Sequence, residues 1–258
     1  MEMNLIFAAP PNDLARALSY PVSIAHMAYQ IGANFELYRA NIPLALKGGL
    51  MLLGDSAEAA STGDPEALAT QVVRECISRG YDGVILGFQN TSAALHSFAA
   101  ILSNRLRRQG ALLFLPEAFA ADSDWAKVLI STAISGGSLK TRLEEVCAIY
   151  GSERICLDIE RVRMDFCLPS ESGQGTKLSA QDLYTLQQAH LPHSYFSQDL
   201  CAYYFTYQDK AGSHFVLYDD AGSIRKKLFL AKHLGIDHSL LLFPEVEDIC
   251  PSLDLPEA

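Results

Sequence analysis

Several short runs in this sequence are apolar at every position, and they constrain the fold more than any other feature. VILGF at residues 84–88, LLFL at 112–115 and LLLF at 240–243 show no alternation of apolar and polar residues. A strand that is apolar on both faces indicates a parallel sheet covered on both sides, because an antiparallel sheet usually has one face in water. Amphipathic stretches alternate with these runs, which predicts an α/β fold.

Chain length and strand number favour a closed barrel over an open sheet. The chain has 258 residues, close to the roughly 250 that are typical of a (β/α)8 barrel. With no break in composition, we predict a single TIM-barrel domain over residues 1–258. The prediction includes a helix at 23–37 and a small β-hairpin inserted near strand seven, at about residues 201–218. The strands are predicted at residues 5–9, 50–53, 84–88, 111–115, 125–132, 154–159, 194–197 and 239–243.

Several helices carry recognisable end signals. Asp64 is a good N-cap for a helix that Gly80 would end, since Gly readily adopts the left-handed conformation of that position. Asp219 and Asp220 precede a helix that begins near residue 223, where carboxylates suit both the cap and the helix dipole. We therefore expect these carboxylates to be structural.

The balance of charges argues against two classes of partner. The chain has 20 Lys and Arg residues against 30 Asp and Glu residues, a formal net charge of −10. Nucleic acids and anionic membranes attract basic surfaces, so we expect neither as a partner. Glu2 and a short apolar run that ends at Pro10 do not fit a signal peptide. No apolar run approaches the roughly 20 residues of a membrane span, and we predict a cytoplasmic protein.

Cysteine and histidine spacing predicts no metal site. The six cysteines form no CxxC pair, and without an export signal we expect reduced, mostly buried thiols. His190 and His193 form an HxxH pattern with no carboxylate nearby. The Gly/Ser-rich segment at residues 170–176 has neither a phosphate-loop nor a dinucleotide pattern, so we predict a loop there and no cofactor.

The stretch at residues 205–243 has its motifs in a distinctive order. In FTYQDKAGSHFVLYDDAGSIRKKLFLAKHLGIDHSLLLF, an F-x-Y segment precedes an acidic pair, a Ser-Ile step, a Lys-rich helix and an apolar strand. This order resembles family 18 glycoside hydrolases, especially the branch of bacterial spore-cortex and cell-wall enzymes. The resemblance implies a TIM barrel, a bacterial protein that could be associated with spores, and a glycan ligand of the N-acetylglucosamine type. The matching residues are Tyr218, Asp219, Asp220, Ser223, Ile224, Lys227, Gly235 and residues 240–243.

The stretch YDGVILGFQN is similar to the family's catalytic strand, but it departs from the pattern at the reactive positions. The family motif is D-G-x-D-x-D-x-E, which ends in the catalytic acid. Asp82 keeps the first position of this motif. Ile85 and Gly87 stand where the two later Asp residues would be, and Gln89 stands where the Glu would be.

These departures remove the groups that carry the family's chemistry. In its substrate-assisted mechanism the Glu protonates the glycosidic oxygen, and the Asp residues orient the substrate's acetamido group. The amide of Gln89 has no proton to donate at any useful pH, and loss of general acid catalysis alone costs roughly 10²–10⁴-fold in rate. We therefore expect no ordinary family 18 hydrolysis.

Other residues at the predicted strand ends could form a different site, because barrel active sites lie at the carboxyl ends of the strands. Glu117, Glu160 and Glu245 are candidates for a re-made set of catalytic carboxylates, which a glycosidase needs roughly 5–9 Å apart. The resemblance matches Ile159-Glu160 to a Tyr-Asp pair on the family's sixth strand, and Phe243 to its sugar-stacking Trp. The candidate ligand-binding residues are Gln89, Asn90, Glu117, Asp158, Glu160, Phe243 and Glu245.

Three functions stay open at this point. The leading one is a family 18-like protein that has lost its catalytic acid and binds or scaffolds a glycan. The second is a hydrolase with a re-made carboxylate set, and the third is a protein-interaction barrel with no sugar ligand. Each carboxylate also has a structural alternative, as a helix cap or as the partner of an arginine such as Arg161 or Arg163.

Overall fold

Eight parallel strands form a closed barrel, as the sequence predicts. The computed structural model describes residues 3–40, 47–56, 63–169, 175–210 and 212–253. Within these ranges the strands are β1 (Asn4–Ala9), β2 (Ser23–Ile31), β3 (Leu37–Arg39), β4 (Leu50–Asp55), β5 (Gly83–Gly87), β6 (Leu112–Pro116), β7 (Lys127–Ser131), β8 (Ile155–Ile159), β9 (Arg163–Leu168), β10 (Thr176–Lys177), β11 (Tyr195–Ser197), β12 (Ala202–Gln208), β13 (Ser213–Tyr218) and β14 (His238–Leu242).

The barrel consists of β1, β2, β4, β5, β6, β7, β8 and β14. Each strand pairs in parallel with its two neighbours, and β1 closes the ring by pairing with both β2 and β14. The short strand β3 adds to β2 in the antiparallel direction. The helices are α1 (Leu14–Ala17), α2 (Pro65–Arg79), α3 (Ala93–Gln109), α4 (Leu139–Tyr150), α5 (Ala180–His190), α6 (Ala221–His233) and α7 (Phe243–Val246), with 3-10 turns at Glu117–Asp122, Ser152–Arg154 and Glu247–Ser252.

The predicted helix at residues 23–37 is wrong, because this segment forms β2 and β3. The sequence SIAHMAYQI contains helix-compatible Ala, Met and Gln and no run of β-branched residues. It lies between β1 and β4 and is mostly buried, so burial outweighs local propensity. The extra strand shifts the later ones by one position. The strand at 154–159 is therefore the seventh of the barrel, and the match of Ile159-Glu160 to the family's sixth strand is also wrong.

The helix end signals are confirmed by local hydrogen bonds. The Asp64 carboxylate accepts a hydrogen bond from the backbone N–H of Glu66 at 3.0 Å. Helix α2 ends at Gly80, whose φ of 64° favours glycine. Asp220 forms a reciprocal capping box with Ser223 at the start of α6.

The side chains of the barrel strands point alternately into two apolar layers. One set fills the barrel interior, where Ile85 and Phe114 are fully buried, so the interior is a packed core. The other set faces outward and packs in two larger clusters with the surrounding helices. The interior cluster comprises Ile6, Ala8, Ala25, Leu50, Ile85, Phe114, Leu129, Cys156 and Leu240.

Between β8 and α6 the chain forms a second, antiparallel sheet, here called the inserted sheet. Its strand order is β10-β9-β13-β12-β11. The segment predicted as a small hairpin contributes β12 and β13, which are inner strands of this larger sheet. The predicted seventh barrel strand at residues 194–197 is wrong, because Tyr195–Ser197 is the edge strand β11. Residues 170–174 of the predicted loop lie outside the described residues.

A fully buried ion pair joins the inserted sheet to helix α6. Lys227 Nζ lies 2.7 Å from Asp219 Oδ2, and neither side chain is exposed to solvent. The Asp219 carboxylate also accepts hydrogen bonds from the Ser223 hydroxyl at 2.7 Å and from the Val162 N–H at 3.0 Å. Buried charges are tolerated when both are paired and hydrogen-bonded, as they are here. Asp219 is therefore structural, as predicted, but as an anchor for Lys227; the cap is Asp220.

The inserted sheet holds a histidine between two carboxylates. His214 Nδ1 lies 3.0 Å from Asp165 Oδ1, and its Nε2 lies 3.2 Å from Asp209 Oδ1. The Tyr207 hydroxyl donates to Asp165 at 2.8 Å, and its ring stacks on His214 at 4.5 Å. Burial lowers the pKa of His214, but the hydrogen bonds and charges of Asp165 and Asp209 outweigh this effect and raise it above its ordinary value.

Lys227→Met is expected to lower the free energy of unfolding by about 3–5 kcal/mol, because Asp219 would stay buried without its counter-ion. Urea denaturation followed by circular dichroism measures this loss. The exposed Lys232 lies on the same helix, and Lys232→Met should change stability by less than about 0.5 kcal/mol. A loss below about 1 kcal/mol for Lys227→Met would contradict an anchoring role for the pair.

His214→Gln is expected to destabilise the protein most at acidic pH. A histidine whose pKa is raised in the folded state stabilises the fold fully below its unfolded pKa, near 6.5. That contribution disappears as the pH rises through the folded value. The difference in unfolding free energy between the wild type and the variant should therefore shrink above pH 6.5. Denaturation at matched pH values tests this, with the exposed His193→Gln as control; a pH-independent difference would refute it.

Candidate functional site

Two pockets open at the carboxyl ends of the barrel strands, where TIM barrels place their active sites. Both have volumes in the roughly 300–1,000 Å³ range of ligand sites. The insertion pocket, of about 430 Å³, lies beside the inserted sheet; its walls include Ile134, Glu160, Arg163, Lys177, Leu242 and Glu245. The Tyr38 pocket, of about 560 Å³, lies over β2, β3, β4 and β5; its walls include Gln30, Tyr38, Leu52, Gly54, Asp55 and Gly87.

The motif that resembles the family's catalytic strand lies on β5, the fourth barrel strand. Asp82 precedes the strand at the opposite end of the barrel, where its N–H donates to the Gly49 carbonyl at 2.7 Å. Ile85 is fully buried in the barrel interior. Gly87 ends the strand and lines the Tyr38 pocket. Strand β5 therefore presents no carboxylate to the barrel mouth.

Asp55, at the end of β4, holds the residues that follow β5. Its Oδ1 accepts the Gln89 N–H at 2.8 Å. Its Oδ2 accepts both the N–H and the side-chain amide of Asn90, at 2.8 and 2.7 Å. Asn90 is thus used to hold the loop, while Gln89 is exposed and its side chain bonds to no described residue. Asp55 was not predicted as a site residue, although a carboxylate at the end of an apolar strand is a usable signal.

The structure brings together two of the three candidate carboxylates. Glu160 and Glu245 both line the insertion pocket. Glu117 lines neither described pocket and forms an ion pair with Arg142 on α4. Glu117 therefore has the structural role that the sequence left as its alternative, and a set of three convergent carboxylates does not form.

Glu245 connects the barrel to the inserted sheet. It pairs with Arg163 on β9 and lies 3.2 Å from Lys177 Nζ on β10. The Arg163 side chain is 9% exposed, and its Nε has no hydrogen-bond partner among the described residues. Arg161 donates to the Glu245 carbonyl at 2.9 Å and pairs with Asp248 at 2.5 Å. Most charges of the insertion pocket are therefore already paired. Lys177 was not predicted as a site residue, because no local sequence signal places β10 at the mouth of the barrel.

Asp158 is a largely buried carboxyl on β8 that faces the barrel interior, as does Cys156 two residues earlier. Burial, together with the nearby charge of Glu160, raises the pKa of Asp158 to about 6. Glu160 Oε1 accepts a hydrogen bond from the Ser131 hydroxyl at 3.0 Å. A readily protonated carboxyl near a second carboxylate is an arrangement from which acid and base roles can arise.

Phe243 does not reach the barrel mouth. Its ring is fully buried and packs against Phe7 at 5.4 Å and Tyr20 at 5.9 Å, in the layer outside the barrel. Leu242 lines the insertion pocket, whereas Phe243, the first residue of α7, does not. The prediction that Phe243 stacks on a ligand is therefore wrong.

The described side chains offer acid–base and hydrogen-bonding chemistry. Within the described ranges, no group of three His, Cys, Asp or Glu residues is arranged to hold a metal ion. Burial raises the pKa of the Cys76 and Cys250 thiols to about 11, which leaves little thiolate at neutral pH. Over the same part of the chain, no helix combines the length and apolar character needed to cross a membrane.

Comparison with known proteins identifies the type of barrel. No family profile matches the sequence, and no curated protein is similar to it in sequence. The C-terminal domain of a putative chitinase from Desulfitobacterium hafniense matches in structure with a TM-score of 0.69 and 15% identity, over 98% of this chain and 99% of that one. The chain shares the barrel fold of this putative chitinase domain.

Two further solved structures share this barrel fold. The spore cortex-lytic enzyme SleL of Bacillus cereus matches with a TM-score of 0.69 and 16% identity, over 93% of this chain and 70% of that one. The GH18 chitinase of Cycas revoluta, solved in complex with (GlcNAc)4, matches with a TM-score of 0.59 and 14% identity, over 92% of this chain and 94% of that one. The resemblance to the chitinase and spore cortex-lytic branch is thus confirmed for the fold.

Asp158→Asn is expected to stabilise the protein at neutral pH. A carboxyl whose pKa is raised in the folded state destabilises the protein increasingly as the pH rises from its unfolded pKa of 3.8 to its folded pKa, here about 6, because its ionised form is better solvated when unfolded. The variant should gain roughly 2 kcal/mol at about pH 8 and nothing at about pH 3.5. Denaturation at both pH values, with exposed Glu145→Gln as control, measures this. Destabilisation at both pH values would contradict it.

Proposed function

We propose that the protein binds a glycan of the N-acetylglucosamine type at the mouth of its family 18-type barrel and does not hydrolyse it. The observation that carries the proposal is Gln89 at the position of the family's catalytic acid, with Ile85 and Gly87 at the Asp positions. An amide cannot protonate a leaving oxygen, and neither Ile nor Gly can orient an acetamido group by hydrogen bonding. The mouth keeps pockets and hydrogen-bonding groups, which are what binding requires.

The charges and exposed groups of the mouth suit an uncharged oligosaccharide. The net charge of −10 disfavours anionic ligands, and the charges of the insertion pocket are mostly paired within the protein. The exposed amide of Gln89 offers both a donor and an acceptor to sugar hydroxyls. The Cycas revoluta chitinase, which has the same type of barrel, was solved with (GlcNAc)4, and this supports the same class of ligand here.

Isothermal titration calorimetry with tetra-N-acetylchitotetraose tests binding, and mass spectrometry of the incubated tetramer tests hydrolysis. Saturable binding with intact oligomer is the expected result. Cellotetraose, which lacks acetamido groups, is the control ligand, and peptidoglycan fragments extend the screen. If no glycan binds, the proposal fails, and the protein-interaction barrel becomes the favoured function.

Gln89→Glu alone is not expected to restore hydrolysis. The new carboxyl would lack both Asp partners, since Ile85 and Gly87 occupy their positions. The expected rate of tetramer cleavage is that of the wild type, measured by chromatography of the products over a day. Robust turnover by this single variant would show that the acid alone limits activity and that the loss of the two Asp residues does not matter.

A second candidate function is that of a hydrolase with a re-made pair of carboxylates. The raised pKa of Asp158 favours it. In this function Asp158, with a pKa of about 6, is the acid and Glu160 is the second carboxylate. Such an enzyme would show hydrolysis that falls as the pH rises above about 6 and that Asp158→Asn and Glu160→Gln each abolish. Activity that survives both substitutions would exclude this pair.

The proposal includes a cytoplasmic location, as the sequence predicts, and a bacterial protein, as the resemblance implies. Packaging into a spore from the mother cell would reconcile that location with a cell-wall type of glycan. Fractionation of cells and spores with an antibody against the protein tests the location. Recovery only from the culture medium would contradict it.

A further inference from the structure

We propose that one pyranose ring of this glycan binds in the Tyr38 pocket, with the apolar face of the sugar against the Tyr38 ring. The inference rests on the proposed function, because it states where on the barrel mouth that glycan binds. It assigns the role of sugar platform to an aromatic residue outside both stretches that resemble family 18 glycoside hydrolases.

The Tyr38 ring is exposed at the pocket and packs on the backbone of Gly32. Tyr38 is 54% exposed and lines the pocket from β3, opposite Gln30 on β2. The ring lies directly against the backbone of Gly32, where an added Cβ atom would come within 2.1 Å of the Tyr38 Cε2 atom. Glycine at position 32 leaves room for the ring in this position, whereas a side chain there would push the ring aside. Tyr rings suit the apolar C–H face of a pyranose.

The space beside the ring exists because two neighbouring strands carry glycine at the mouth. Gln30 on β2 is in register with Gly54 on β4, and Gly54 is in register with Gly87 on β5. Neither Gly54 nor Gly87 has a positive φ, so the backbone conformation does not require glycine at either position. What these glycines provide is open space above Leu52, next to the Tyr38 ring.

The polar groups at the pocket suit sugar hydroxyls, and its charged groups are engaged within the protein. The Gln30 amide is exposed and makes no hydrogen bond to any described residue, so it can donate and accept. Arg39 pairs with Glu75 at 2.9 Å, which balances its charge. The Asp55 carboxylate accepts hydrogen bonds from the backbone N–H groups of the loop after β5. An uncharged ring with several hydroxyls fits this combination better than an ion.

The test compares binding of tetra-N-acetylchitotetraose by matched variants in calorimetry. Tyr38→Ala is expected to weaken binding roughly tenfold, and Tyr38→Phe, which keeps the ring, is expected to retain most of it. Tyr184→Ala is the control, because Tyr184 is similarly exposed, at 57%, but lies on α5. Thermal unfolding checks that each variant is folded.

Gly54→Val tests the same site without touching the ring. A Cβ atom at Gly54 would meet its nearest neighbours at 3.8 and 3.9 Å, which is ordinary contact, so the strand should accept the substitution. The valine methyl groups would fill the space beside Tyr38, and binding is expected to weaken roughly tenfold or more. The variant therefore separates loss of space from loss of the aromatic ring.

The outcomes separate this inference from the proposed function. Weakened binding in Tyr38→Ala and Gly54→Val, with Tyr184→Ala unchanged, supports the Tyr38 pocket as the sugar site. Wild-type binding that neither substitution alters would overturn the inference and leave the proposed function standing. A wild type that does not bind the tetramer would overturn both.

Discussion

The buried pair of Lys227 and Asp219 sets how the inserted sheet lies on the barrel. An ammonium group and a carboxylate removed from water are stable only if their remaining hydrogen-bonding capacity is satisfied, which Ser223 and Val162 do for the carboxylate. This requirement holds three segments in fixed positions relative to one another: the end of β13, the helix α6 and the segment after β8. Two of these parts, the segment after β8 and the strand β13, also contribute walls to the insertion pocket, through residues such as Val162 and Leu217.

The barrel could be predicted because its signal is local. A strand in the middle of a parallel barrel is buried on both faces. Runs such as residues 84–88 and 240–243 indicate this directly, because every residue in them is apolar. Ser23–Ile31 was missed because it consists of residues that also suit a helix, and only its position between β1 and β4 makes it a strand. The extent of the inserted sheet was missed for a related reason, since β9 and β10 gain their partners from segments far along the chain.

The site was less predictable, because it depends on the direction in which each side chain points and on pairing between residues far apart in the sequence. Glu160 and Glu245 were predicted at the mouth from their places after strands, and the structure brings both to one pocket. Phe243 follows its strand in the same way, yet it begins α7 and its ring packs in the outer layer. Glu117 pairs with an arginine 25 residues away in sequence, and Tyr38 reaches the mouth only because β3 adds to β2. No local pattern contains such information.

The glycine at position 87 has a consequence for how this chain could change over evolutionary time. An added Cβ at Gly87 would lie 3.3 Å from Leu52 Cδ2, so a carboxylate introduced at position 87 would meet an apolar neighbour on β4. A charged group against a leucine methyl is poorly solvated, so a smaller or polar residue at position 52 would make an acidic residue at position 87 easier to accommodate. The effect of a substitution at position 87 thus depends on the residue at position 52, and the order in which the two positions change matters. The packing of two adjacent strands therefore disfavours an acidic side chain at this position.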